Sequence, residues 1–188
     1  GAIPVICDSQ SDGLIDPNSV EKMITSKTKA IMPTQLNGRI CDMEKLLKIS
    51  DEYNLKIIED SCQALGAKYK DTFAGMFGLV GSYSFFPAKT LGCFGDGGAI
   101  VTNSEETANF IKILRDHGRG KKGKVIAWGD NGRLDNVQAA ILNYKLKNYA
   151  NYIAHRRKLA EIYFQNLISI KEIKLPPNSL SDKSRFDI

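Results

Sequence analysis

Lys89 stands out as a candidate nucleophile because of its setting in residues 81–103, GSYSFFPAKTLGCFGDGGAIVTN. Tyr83, Phe85 and Phe86 precede it, and Gly92, Gly95, Gly97 and Gly98 follow. A lysine amine attacks an aldehyde only in its neutral form, which apolar surroundings favour, and the product is a Schiff base. Ser84, five residues earlier, offers a hydroxyl suited to a phosphate, and the glycines let backbone approach a ligand closely. Alone, the window is also that of a solvated surface lysine between a strand and a loop.

A second window, residues 55–69, LKIIEDSCQALGAKY, adds a carboxylate. Leu55, Ile57 and Ile58 read as a buried strand ending at Glu59 and Asp60, with Gln63 three residues on. Asp60 then sits at the carboxyl end of a parallel strand, where open α/β sheets bind ligands. A carboxylate there and a lysine on a later strand–loop junction are what a pyridoxal phosphate site needs. The lysine holds the aldehyde, and the carboxylate keeps the ring nitrogen protonated so that the ring acts as an electron sink. The alternative for Asp60 is an N-cap for a turn over 61–65.

The elements that must position these groups follow from caps and periodicity. Residues 1–7 read as a short strand with Asp8 at its end. Asp16-Pro17 starts a helix reaching about Thr25, and Asp42 caps another over 43–53 with Met43, Leu46, Leu47 and Ile49 on its apolar face. Strands are expected over 28–33, 55–60, 79–86 and 98–102, with a loop over 34–39 and a hairpin or surface excursion over 68–78. Phe85 and Phe86 are expected to pack in the core. Ser104 starts a helix to about Asp116, with acidic residues at its N-terminal end. Residues 115–124, RDHGRGKKGK, form a basic, glycine-punctuated loop. It reads as a solvated connection, with contact to a diphosphate or a neighbouring subunit as the sharper alternative. His117 reads as a packing or capping residue. Helices follow over 135–148, with an apolar face of Val137, Ala140, Ile141 and Tyr144, and over 149–167. Short apolar strands alternating with amphipathic helices argue for an α/β fold, a mostly parallel sheet flanked by helices.

The ordered set EDSCQALGA, SYSFFPAKTLGCFGDGGAIVTN, RDHGR and GDNGRLDNVQAAIL resembles the DegT/DnrJ/EryC1/StrS sugar aminotransferases. The resemblance runs over essentially all 188 residues. It implies a three-layer, fold-type I large domain, partial here, with residues 1–148 as its second half and 149–188 as the start of a small C-terminal domain. It implies an upstream portion carrying the first strands and a glycine-threonine helix start that cups the cofactor phosphate. The implied cofactor is pyridoxal 5'-phosphate, held by Lys89 as Schiff base and proton-transfer group, Asp60 at the pyridinium, Gln63 at the ring or its phenolic oxygen, and Ser84 at the phosphate. Asn131 is implied to reach across a homodimer interface to the partner's cofactor phosphate, so that sites are shared. Relatives often carry tyrosine at Asp130 and serine at Gly132. They commonly carry histidine and tyrosine at Gln35 and Asn37, a difference that falls on substrate details. The implied reaction moves an amino group, from glutamate, to a nucleotide-diphosphate keto sugar in the cytoplasm, for cell-surface polysaccharide or related amino-sugar synthesis. Alternatives within the family are a sugar dehydratase, against which Lys89 argues because that branch carries histidine, and a truncated or non-catalytic member.

Composition sets outer bounds. With 43% hydrophobic and 25% charged residues the chain is of ordinary globular type, and its formal charge of +5 suits an anionic small substrate without requiring nucleic acid. Cys7, Cys41, Cys62 and Cys93 have no C-x-x-C spacing and read as reduced thiols, and two histidines make a zinc site unexpected. No transmembrane-length apolar run is present. The cluster GCFGDGG does not match the G-x-G-x-x-G of dinucleotide binding.

Overall fold

Three residues marked as helix starts by their type do start helices. Asp16 Oδ1 accepts from the Asn18 amide at 3.0 Å ahead of α1 (Pro17–Met23), with proline in the first turn. Asp42 Oδ1 accepts from Lys45 N at 3.2 Å ahead of α2 (Met43–Glu52), and Ser104 Oγ from Thr107 N at 3.2 Å ahead of α3 (Glu105–Leu114). The computed structural model describes residues 1–176 and 185–188.

The strands are β1 (Ala30–Ile31), β2 (Lys56–Asp60), β5 (Val80–Ser84) and β6 (Gly98–Val101), which form one sheet in the order β1-β2-β5-β6. The first three are parallel and β6 is antiparallel to β5. The mostly parallel, helix-flanked sheet expected from the resemblance is borne out. A hairpin of β3 (Lys68–Tyr69) and β4 (Thr72–Phe73) fills the expected excursion, and β7 (Arg185–Phe186) pairs with β3. Helices α4 (Asn136–Leu146) and α5 (Tyr149–Leu167) follow the basic loop.

The main core lies on one face of the sheet, where Ile31 and Ile57 meet Val20 of α1, Met43, Leu46 and Ile49 of α2, and Ala64, Ala67 and Ala74. A smaller cluster of Leu91, Cys93 and Leu142 gathers Leu65, Phe85, Leu134 and Tyr149 around the lysine loop. Removing this apolar surface from water drives both assemblies.

Four expectations are corrected. Residues 1–7 form no strand: Ile3, Val5 and Ile6 are exposed, and the first bridge joins Ser9 to Ile15. A strand needs a neighbour for its N–H and C=O groups, and apolar residues alone do not supply one. Ile58 is not buried like Ile57, because successive side chains of β2 face opposite sides and the core covers only one. Phe85 packs on the smaller cluster as expected, but Phe86, past the end of β5, is 50% exposed. In α4, Val137 and Tyr144 are exposed and Leu142 is buried instead, because the neighbour α4 packs on is the lysine loop.

Candidate active site

Strand register decides which side chains can meet. Asp60 pairs with Ser82, and Ser82 with Ile100, while Ser84 pairs with Gly98. Paired residues and residues two apart share a face, so Asp60, Ser82 and Ser84 lie on one face of the sheet and Ile57 and Glu59 on the other. Asp60 Oδ1 accepts from Cys62 N at 3.1 Å and opens the turn that follows β2, where no helix forms. The capping alternative thus accounts for one hydrogen bond of the Asp60 carboxylate, and the Cys62 thiol bonds the same group. Ser84 Oγ accepts from the Phe86 amide at 3.3 Å, leaving its hydrogen to donate.

Lys89 is half-buried in the loop after β5, and its amide donates to Phe86 O at 2.9 Å. The loop is held tightly at Gly92, where a Cβ would sit 2.5 Å from Pro87 O and 2.6 Å from Phe86 O, so only glycine fits. Cys93 closes it: its amide donates to Phe85 O at 2.8 Å, and its sulfur lies 3.0 Å from both the Phe85 and Gly95 carbonyls, to one of which its single hydrogen goes.

The Cys62 thiol registers both charged groups. Burial raises it above the ordinary thiol range and the nearby Asp60 carboxylate adds to the rise, while the Ser82 hydroxyl and the Lys89 ammonium pull it down. Its sulfur lies 3.6 Å from Ser82 Oγ. Asp60 stands at the end of β2, and Lys89 lies in the loop that follows β5, its neighbour in the sheet.

Gln63 and Asn131 each make a local hydrogen bond of their own. Gln63 Oε1 accepts from Asn37 N at 2.8 Å, tying the β2 turn to the loop after β1 and leaving its NH2 group to donate. Asn131 is exposed in the segment that follows the basic loop, where its Oδ1 accepts from Arg133 Nε at 3.1 Å. That loop closes on itself through bridges Asp116–Asn131 and Arg119–Val125, with Arg133 Nη1 3.3 Å from Asp116. His117 takes a left-handed conformation in it, and its amide donates to Asp130 O at 3.0 Å.

Sequence reasoning missed Glu59, which is fully buried beside Asp60 in the chain and faces the opposite way. Its carboxylate accepts from Gln35 Nε2 at 2.9 Å, from the amides of Gly75 and Phe77 at 2.7 Å each, and from Gly78 N at 2.9 Å. Gly81 permits this clamp, since a Cβ there would sit 2.3 Å from Gly75 Cα. Gln35 also accepts from Cys41 N at 2.8 Å and is fully buried, so it braces the fold rather than facing a substrate. The available signal was alternation along β2, which turns Glu59 inward, where a carboxylate must find donors. Among the described residues no group of three or more His, Cys, Asp or Glu could hold a metal ion, and no helix is long and apolar enough to cross a membrane.

Comparison with known proteins bears on this geometry. The chain is 40% identical over 177 residues to the dTDP-3-amino-3,4,6-trideoxy-alpha-D-glucose transaminase of Streptomyces venezuelae, covering 94% of this chain and 47% of that protein. It is 41% identical over 174 residues to the UDP-2-acetamido-2-deoxy-3-oxo-D-glucuronate aminotransferase of Pseudomonas aeruginosa, covering 92% of this chain and 48% of the relative. The crystal structure of NtdA from Bacillus subtilis with bound cofactor PMP superposes with a TM-score of 0.82 at 35% identity, over 93% of this chain and 41% of that one. The chain spans about half the length of the curated relatives it matches. The family model of the DegT/DnrJ/EryC1/StrS aminotransferases matches residues 1–186, and the chain belongs to that family.

Proposed function

We propose that the full-length polypeptide is a pyridoxal-phosphate-dependent aminotransferase. It moves an amino group from an amino-acid donor, glutamate, to the keto carbon of a nucleotide-diphosphate sugar, in cell-surface polysaccharide or related amino-sugar synthesis. What supports this reading is that Asp60 and Ser84 share one face at the ends of adjacent strands, with Lys89 in the loop that follows, in a chain similar to named sugar-nucleotide transaminases.

The residues present fit the cofactor. Asp60 and Ser84 lie on the same face, Ser84 has a hydrogen to donate, and Lys89 lies in the adjoining loop. Pyridoxal phosphate, when bound, supplies an aldehyde for a lysine amine and a ring that withdraws electrons from the substrate's α-carbon. Asp60 would hold the ring nitrogen and keep its proton in place. Ser84 would donate to the phosphate, and the Gln63 NH2 group to the ring's phenolic oxygen. Lys89 would hold the cofactor through its amine and serve as the general base for the donor's α-proton.

The same reading includes a cytoplasmic homodimer with shared sites, to which Asn131 contributes from the partner, and a domain division between residues 148 and 149. Support for the shared site comes from the loop bearing Asn131, where Val125, Ile126 and the fully exposed Trp128 present apolar surface. The test is turnover: full-length protein with pyridoxal phosphate, glutamate and a panel of dTDP- and UDP-keto sugars, followed by 2-oxoglutarate release. Stoichiometric 2-oxoglutarate and amino sugar support the reading. Deoxygenated sugar without 2-oxoglutarate contradicts it in favour of the dehydratase branch.

A further inference from the structure

A row of side chains from α4 and the first position of α5 ends on the loop that carries Lys89. Gln138, Leu142 and Lys145 stand at i, i+4 and i+7, on one side of α4. Gln138 Oε1 accepts from Phe94 N at 2.8 Å, Leu142 packs with Leu91 and Cys93, and the Lys145 ammonium donates to Gly92 O. Tyr149, which opens α5, completes the row. Its hydroxyl lies 2.7 Å from Leu65 O and 3.0 Å from Thr90 Oγ1.

The phenol has one hydrogen, and the Leu65 carbonyl can only accept. The hydrogen therefore goes to Leu65, and the Thr90 hydroxyl donates to the phenol oxygen. Leu65 belongs to the turn that Asp60 opens, and Thr90 follows Lys89 directly. One oxygen atom thus joins the segment bearing the carboxylate to the segment bearing the amine. The Tyr149 ring lies against Gly66, where a Cβ would be 3.5 Å from Cε1. Burial raises the phenol above its ordinary range, so the hydroxyl keeps its hydrogen through neutral pH.

We propose that Tyr149 is a positioning residue that sets Lys89 against Asp60, with Gln138 and Lys145 holding the rest of the loop. The inference rests on the reading of Lys89 as the cofactor lysine. Nothing in it requires Tyr149 to touch cofactor or substrate.

The test compares full-length wild type, Tyr149→Phe and Thr90→Val, which breaks the same link from its other side should the first variant fold poorly. In cofactor-free protein, backbone hydrogen exchange is followed at Lys89 and Cys93, whose amides donate to Phe86 O and Phe85 O. The expected result is exchange about three- to tenfold faster at these two amides, the effect of one ordinary hydrogen bond, with Asp60 N unchanged. In cofactor-loaded protein, the pH midpoint of the lysine-bound cofactor's absorbance shifts, and kcat falls while KM for the donor stays nearly constant. Unchanged exchange at Lys89 in both variants overturns the proposal. So does faster exchange with an unmoved pH midpoint, which reports a merely structural bond. A wild type that binds no cofactor on Lys89 overturns the functional reading instead, and the exchange comparison then decides alone whether Tyr149 clamps the loop.

Discussion

Cys62 titrates in the field of both charged groups of the site, so it can report on their arrangement without any cofactor. Removing the Asp60 charge by Asp60→Asn takes away a contribution that raises the thiol, and removing the Lys89 charge by Lys89→Met takes away one that lowers it. In full-length, cofactor-free protein, the pH profile of Cys62 alkylation, mapped by peptide mass, is expected to move down in the first variant and up in the second. A Lys89→Met profile that matches wild type would place the amine elsewhere. The positions of Asp60 and Ser84 at the ends of β2 and β5, and of Lys89 in the loop beyond, were legible because alternation and an adjoining glycine loop leave few readings. Glu59 was not, because its role depends on the Gly75, Phe77 and Gly78 amides and on Gln35, donors brought to it only by the fold.

At the scale of elements, Glu59 pins residues 75–78 beneath β2 and β5, and this clamp should weigh heavily in stability. Glu59→Ala takes the carboxylate away from four buried or part-buried donors and is expected to lower unfolding free energy by about 3 kcal/mol or more. Glu59→Gln, which keeps one accepting oxygen, should lose about 1–2 kcal/mol. Urea unfolding of the full-length protein measures both, and an alanine variant within about 1 kcal/mol of wild type contradicts the clamp. Tyr83, whose hydroxyl donates to Ala74 O on the same segment, adds a pH dependence. Burial, with the negative Glu59 and Tyr149 adding to it, pushes this phenol from 10.0 up to about 12. Between those values the folded state keeps a proton that the unfolded state has lost, so stability falls as pH rises through this window and is unaffected below it. The fall in urea midpoint above pH 10 should be shallower in Tyr83→Phe, and an identical slope would contradict the assignment. Helix starts were legible at this scale because Asp16, Asp42 and Ser104 cap through local bonds. The contact face of α4 was not, because it is set by Gln138 and Lys145, polar residues whose partners lie in the lysine loop.

At the scale of the whole molecule, the proposed sharing of sites between two chains predicts complementation. Full-length Lys89→Ala and Asn131→Ala proteins should each be nearly inactive alone. Mixed and reassembled, they should regain about a quarter of wild-type activity, because random pairing makes half the dimers hybrid and each hybrid holds one intact site. Absence of recovery with hybrid dimers formed would return Asn131 to a turn-forming role. The order of motifs made the overall architecture legible across the chain. The exposure of Trp128 was not, since surface residues carry no periodic pattern.

The central claim is that Lys89 carries the cofactor within reach of Asp60. Borohydride reduction of the cofactor-loaded full-length protein, followed by peptide mass mapping, tests it most directly. The account predicts a pyridoxyl label on Lys89 alone. Label on another lysine, or none while cofactor is demonstrably bound, would contradict it.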